Sequence, residues 1–191
     1  MTRALIVVDV QNDFCEGGSL PVAGGAQVAA EVTDLLRRRT ADEPGSGDYA
    51  HVVATLDHHV DPGEHWSDEP DYRDTWPVHC RVGTGGEELH PHLDPRSFDE
   101  VFRKGEYVAA YSGFEGVAAD GHGLATWLRE RDVTEVDVCG IATDHCVRAT
   151  ALDAVRAGFP TRLLADLCAG VAPESTHAAL TELAEAGVSV G

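Results

Sequence analysis

The sequence predicts an α/β fold in which helices cover both faces of a Rossmann-like parallel sheet. Apolar segments alternate along the chain with segments of helical periodicity, which is typical of such sheets. The first apolar segment, residues 4–10 (ALIVVDV), has the near-continuous apolar character of a strand buried on both faces. The length of 191 residues suits about one domain, and no repeat or linker divides it. We therefore expect a single domain over residues 1–191.

The remaining elements follow from periodicity and from the residues that end helices. Apolar runs predict further strands at 51–56, 98–103, 135–141, 161–165 and 188–190. Helical periodicity predicts helices at 26–39, 122–131, 144–157 and 173–186. The first helix has a basic last turn that suits its dipole, the third is followed by Gly158, and the last begins at Pro173.

Two connections stand out from the alternating pattern. Residues 41–48 form a short acidic segment that contains glycine and proline, and we expect a loop there. Residues 57–97 show little periodicity. Because so long a connection is uncommon in a compact domain, we expect this segment to be functional.

Composition excludes several classes of partner. Acidic residues outnumber basic ones by 33 to 14, a formal charge of −19, so neither nucleic acid nor an anionic membrane is expected as a partner. No segment approaches the roughly 18 apolar residues of a membrane-spanning helix, and the N-terminus has no signal-peptide core. The five cysteines include no C-x-x-C pair. We therefore expect reduced thiols and a cytoplasmic location.

Reactive side chains are predicted to meet at one edge of the sheet. Ligands bind beyond the carboxyl ends of strands in open parallel sheets. Asp9, Asp57 and Lys104 lie near the ends of the first three predicted strands, and Cys146 follows the fourth at the start of a helix. Lys104 is also the one lysine in a chain that otherwise uses arginine. Unlike arginine, lysine has a pKa that its surroundings can tune.

Each of these residues also has a structural interpretation. At a helix start, the dipole and free N–H groups favour a thiolate at Cys146, but a small buried residue packing the helix on the sheet fits equally well. Asp9 can serve as a base for this thiol or cap the following turn. The position of Lys104 can be due to chance. No single residue decides between these interpretations.

The histidines suggest a metal site. Seven of the ten lie between His51 and His92. Asp57 and His59 are two residues apart, so their side chains point the same way in an extended segment. With His65 and His79 they form a set of ligand types that suits Zn, Fe(II) or Mn. The alternative is a scatter of solvent-facing loop histidines. We assign no ligand role to His51, which begins a predicted strand, or to His58, His90 and His92.

These residues lie in motifs that resemble those of the nicotinamidases, within the isochorismatase-like cysteine hydrolases. The motifs cover nearly the whole chain: IVVDVQNDFCEGGSLPV, ATLDHHVDPGEHWS, WPVHC, FRKGEYVAAYSGFEG and GIATDHCVRATALDA. The first and last are typical of the wider superfamily. The D-x-H-x5-H…H set and the Y-x-x-x-Y-S-G-F segment are more specific to nicotinamidases.

The resemblance implies a fold and a role for each matching residue. The family fold is a three-layer α/β sandwich, and the family triad matches Asp9, Lys104 and Cys146. The implied oxyanion hole consists of the backbone N–H groups of Ala142 and Cys146, with a cis peptide bond between Ile141 and Ala142. The implied metal ligands are Asp57, His59, His65 and His79. The implied walls of the substrate pocket are Phe14, Leu20, Trp76, Tyr111 and His145.

The implied activity is hydrolysis of nicotinamide to nicotinate and ammonia through a cysteine thioester, in NAD salvage, with pyrazinamide as a further substrate. One divalent metal ion, Zn, Fe or Mn, is expected to bind the pyridine nitrogen and orient the ring. Two alternatives stay open: another cysteine hydrolase of the superfamily, acting on a different amide or on isochorismate, and a non-catalytic metal-binding protein. The sequence also leaves open whether the chain forms a homo-oligomer.

Overall fold

The computed structural model describes residues 1–40 and 48–191 and contains the predicted parallel sheet. Six strands lie in the order β3-β2-β1-β4-β5-β6, and every neighbouring pair is parallel. The strands are β1 Arg3–Val8, β2 Tyr49–Asp57, β3 Glu100–Lys104, β4 Glu135–Ile141, β5 Thr161–Ala169 and β6 Ser189–Val190. The strand order reverses between β1 and β4, which opens a crevice at the carboxyl ends of these two strands.

Helices cover both faces of this sheet and complete the predicted three layers. Helix α1 (Gly25–Thr40) packs on one face, while α2 (Leu124–Arg129), α3 (Arg148–Arg156) and α4 (Pro173–Glu185) pack on the other. Alternate residues of β1 point to opposite faces of the sheet, each of which has its own hydrophobic core. Leu5 and Val7 pack with α1 on one face, and Ile6 packs with the other three helices on the opposite face. None of the helices in the described part of the chain is long and apolar enough to cross a bilayer.

Three predicted elements differ from the structure at the edge that holds the crevice. Strand β1 ends at Val8 rather than at residue 10, because Asp9 adopts a left-handed backbone conformation with φ of 51°. Strand β5 continues to Ala169 rather than ending at residue 165. The helix predicted at 144–157 is divided into a π-helical turn, Thr143–Val147, followed by α3. Such turns are frequent at functional sites.

The long connection between β2 and β3 contains single 3₁₀ turns, at Gly63–His65, Gly85–Glu87 and Pro95–Ser97. Its backbone runs along the carboxyl edge of the sheet, where it forms isolated bridges such as His59 with Arg81 and Trp66 with Trp76. The loop predicted at 41–48 lies, except for Asp48, outside the described residues.

Candidate active site

The ends of strands β1, β3 and β4, together with the π-helical turn, bring the predicted triad together. Asp9 directly follows β1, Lys104 is the last residue of β3, and Cys146 lies in the turn after β4. The ammonium nitrogen of Lys104 lies 2.8 Å from Asp9 Oδ2 and 3.8 Å from Cys146 Sγ. All three residues are buried. Side chains that are far apart in the sequence therefore form one compact group.

Lys104 lies between two carboxylates. Its ammonium group also contacts Asp57 Oδ1 and donates to the Ala110 carbonyl at 3.4 Å. Burial alone would lower the pKa of Lys104, but the negative charges of Asp57 and Asp9 raise it well above its usual value. Burial likewise opposes the ionised form of Asp57, yet the lysine charge holds the pKa of Asp57 below its usual value. Lys104 is therefore a fixed positive charge beside the thiol.

Asp9 and Cys146 are held so that each favours its protonated form more than it does in water. Burial raises the pKa of Asp9 against the opposing charge of Lys104, and the Thr55 hydroxyl donates to Asp9 Oδ1 at 2.7 Å. Burial also raises the pKa of Cys146 well above its usual value, although the charge of Lys104 lowers it. Burial thus opposes the thiolate form that the start of a helix favours. The thiol therefore needs a base when it reacts.

The backbone before Cys146 has the predicted form. The peptide bond between Ile141 and Ala142 is cis, which confirms that expectation. The Ala142 N–H has no hydrogen-bond acceptor among the described residues. Ala142 and Cys146 both line the same pocket. The use of their N–H groups as an oxyanion hole stays a prediction.

The four predicted metal ligands lie side by side next to the triad. The buried imidazoles of His59, His65 and His79 offer ring nitrogens within 4.8 Å of one another. Asp57 Oδ2 lies 3.5 Å from His59 Nε2 and 3.7 Å from His79 Nε2. Three nitrogens and one carboxylate are the donor types that zinc, iron and manganese accept.

Hydrogen bonds behind the imidazoles orient their free nitrogens. His59 Nδ1 lies 2.5 Å from the Gly105 carbonyl, and His79 Nδ1 lies 2.7 Å from the Pro77 carbonyl. Because a carbonyl only accepts, each Nδ1 carries a hydrogen, and this tautomer of a neutral imidazole has its lone pair on Nε2. Within the described residues, His59 Nε2 and His65 Nδ1 are buried without a partner. These orphaned buried nitrogens fit a divalent cation.

Burial also keeps two of these histidines neutral. It lowers the pKa of His65 to about 4 and lowers that of His79 below its usual value. A neutral imidazole is the form that binds a metal.

One pocket opens onto Cys146 and onto three of the four predicted metal ligands, Asp57, His65 and His79. The five predicted pocket residues all line it, together with Pro21, Val22, Ala110, Ile141 and Val171. The Trp76 indole donates to the Tyr111 hydroxyl at 3.1 Å. His145 stacks on Tyr111 at 27° and meets Trp76 edge-on, with a centroid distance of 5.1 Å. These contacts fix an aromatic wall suited to a flat ring.

Two buried polar residues that support the site are not among the residues predicted from the sequence. Thr55 donates to Asp9, and Gln11 bonds to the backbone of Asp57. Both are completely buried. Their signal was a polar residue inside or directly after an apolar strand, the same signal that singled out Asp9.

Comparison with known proteins extends over the whole chain. Residues 3–191 match the family described as isochorismatase domain. The nicotinamidase/pyrazinamidase of Mycobacterium tuberculosis is 57% identical over 188 residues, which cover 98% of this chain and 97% of that protein. The pyrazinamidase of Pyrococcus horikoshii, solved in complex with zinc, has a TM-score of 0.81 and 36% identity, covering 100% of this chain and 99% of that one. The L. infantum protein PnC1, solved in complex with nicotinate, has a TM-score of 0.82 and 34% identity, covering 100% and 92%.

Proposed function

Because this chain belongs to the isochorismatase family, we propose that it hydrolyses nicotinamide to nicotinate and ammonia, and that it hydrolyses pyrazinamide by the same reaction. The observation that carries the proposal is the position of the Lys104 ammonium group, in contact with Asp9 and Asp57 and 3.8 Å from Cys146 Sγ. In support of the proposal, this group of side chains reaches one aromatic-walled pocket through Cys146 and Asp57, which line it. Relatives named nicotinamidase and pyrazinamidase support the choice of amide.

In the first step, the Cys146 sulfur attacks the carboxamide carbon while its proton passes to Asp9. Covalent catalysis suits an amide because it divides one difficult step into two easier ones. Lys104 stabilises the negative charge on sulfur during the attack. As the carbon–sulfur bond forms, the carbonyl electron pair moves onto oxygen. The N–H groups of Ala142 and Cys146 are the donors we assign to that oxyanion.

In the second step, Asp9 returns its proton to the amide nitrogen, the carbon–nitrogen bond breaks and ammonia leaves. A nicotinoyl thioester of Cys146 remains. Asp9, again ionised, takes a proton from a water molecule that attacks the thioester. The carbon–sulfur bond then breaks, Asp9 passes its proton to the Cys146 sulfur, and the carboxylic acid product gives its own proton to water and leaves as nicotinate. The raised pKa of Asp9 suits a group that alternates between base and acid.

Asp57, His59, His65 and His79 are the residues we assign to one divalent metal ion. Such an ion supplies a Lewis-acidic partner for the pyridine nitrogen and so a means of orienting the ring. The ring itself lies, in this proposal, against Phe14 and the aromatic wall of Trp76 and Tyr111. The choice among zinc, iron and manganese and the oligomeric state stay open, and a cytoplasmic location and a role in NAD salvage stay predictions.

An ammonia-release assay over nicotinamide, pyrazinamide and simple aliphatic amides tests the function. The proposal expects ammonia from the first two and little from aliphatic amides, which lack a flat ring. A superfamily relative with another substrate predicts activity on a different amide or on isochorismate. A non-catalytic metal-binding protein predicts metal content without ammonia. Either result would contradict the proposal.

A further inference from the structure

The main chain leaves the sheet at Asp9, and the end of β2 therefore has no neighbouring strand on the β1 side. Val8 pairs with Thr55, and the Asp9 N–H donates to the Thr55 carbonyl at 3.1 Å. The left-handed conformation of Asp9 then turns the chain away from the strand direction. As a result, no β1 residue lies opposite Asp57, although Asp57 continues β2 and pairs with Lys104 on its other side. Its buried N–H and carbonyl need partners from elsewhere.

The side-chain amide of Gln11 provides those partners. Its Oε1 accepts from the Asp57 N–H at 2.8 Å, and its Nε2 donates to the Asp57 carbonyl at 2.8 Å. The same Nε2 donates to the Glu87 carbonyl at 2.8 Å, which ties in the long connection. Gln11 has no exposed surface. The amide thus replaces the peptide group that β1 would supply if it continued.

The residue held in this way belongs to two sites at once. One carboxylate oxygen of Asp57 contacts Lys104, and the other faces His59 Nε2 and His79 Nε2. The backbone of Asp57 therefore sets the position of a carboxylate that the triad and the metal ligands share. A shift of this backbone moves the carboxylate relative to the three imidazoles.

We propose that Gln11 is a positioning residue for the metal site, which holds the Asp57 carboxylate in place through its two hydrogen bonds to the Asp57 backbone. The inference rests on the metal-binding part of the proposed function. A merely structural Gln11 would contribute to folding stability without changing the affinity of the folded protein for a metal ion.

The test is the affinity for Zn²⁺, measured by competition with a chromophoric chelator. The variant Gln11→Met keeps the length of the side chain and removes its polar atoms. Loss of a partner behind a metal ligand typically weakens binding by about 10–100-fold, and we expect a change of that size. The matched control is Gln27→Met, because the exposed Gln27 only donates to Glu31 at 2.8 Å. The control should bind Zn²⁺ like the wild type.

Unchanged Zn²⁺ affinity in a folded Gln11→Met protein would overturn the inference. If this variant does not fold, Gln11→Asn is measured instead, since it keeps an amide but is one methylene too short to span both groups. It should show the same weakening, and wild-type affinity would again overturn the inference. If neither variant folds, Gln11 is a folding element and the inference is wrong. A wild type that binds Zn²⁺ but releases no ammonia would refute the proposed hydrolysis and leave this test intact.

Discussion

Removing the charge of Lys104 should slow the attack of Cys146 by about three orders of magnitude. The Lys104 nitrogen lies 3.8 Å from the sulfur. At that distance, and at an effective dielectric constant of about 20, a unit charge stabilises a neighbouring thiolate by about 4 kcal/mol. If this energy is lost from the transition state, kcat/KM for nicotinamide falls about a thousandfold. The variant Lys104→Met makes this change while keeping much of the apolar stem.

Steady-state ammonia release measures the effect. Circular dichroism confirms that the variant is folded, since the loss of the lysine leaves two buried carboxylates without their partner and so destabilises the protein. The matched control is Arg103→Met, which removes a positive charge from the neighbouring, exposed position of β3 and should leave kcat/KM nearly unchanged. Lys104→Arg keeps the charge, but its planar fork does not fit among Asp9, Asp57 and the thiol, and kcat should fall by several orders of magnitude. A folded Lys104→Met protein within tenfold of the wild type would refute the assigned role.

Three further predictions concern the nucleophile, the metal and acid stability. Cys146→Ala should abolish ammonia release without unfolding the protein, whereas single changes of the other cysteines should leave ammonia release intact. Turnover by Cys146→Ala at a rate comparable to the wild type would contradict a thioester intermediate. Chelation should abolish amidase activity yet leave Cys146 open to alkylation, and benzamide, which lacks the ring nitrogen, should be a much poorer substrate than nicotinamide; equal kcat/KM would mean that the metal does not bind that nitrogen. Burial raises the pKa of Asp144, but hydrogen bonds from the Ser175 hydroxyl and the Val171 N–H outweigh this effect, so the pKa lies below its usual value. Its stabilisation is therefore present above the usual value of 3.8 and is lost as the pH falls. In urea unfolding, Asp144→Asn should cost about 1.5–3 kcal/mol at neutral pH and much less in acid; an equal loss at both would contradict this.

The parallel sheet could be predicted because its strands are strongly apolar and alternate with periodic helices. Strand β4, which is buried over most of its length, has the predicted bounds. Strand β5 was predicted too short because its second half is only partly buried and includes the exposed Asp166. Its extension depends on Gly140 and Ile141 pairing with Cys168 and Ala169, which local sequence does not reveal.

The site could be predicted in part for a related reason. Charged residues at strand ends pointed to one edge of the sheet, and the resemblance named the individual ligands and pocket walls. What the sequence could not give was the balance of charge and burial around Cys146, because burial depends on the whole packed fold. A polar residue directly after an apolar run marked the position of Gln11, but its partners are backbone atoms of Asp57 and Glu87, and the local sequence does not identify them.

The most direct test of the account is the mass of the peptide that contains Cys146, measured after acid quenching of the protein during turnover of nicotinamide. This peptide should carry one added nicotinoyl group, which treatment with hydroxylamine should remove, and peptides containing the other four cysteines should carry none. Rapid ammonia release with an unmodified Cys146 peptide at every quench time, under conditions in which an authentic thioester survives, would contradict it.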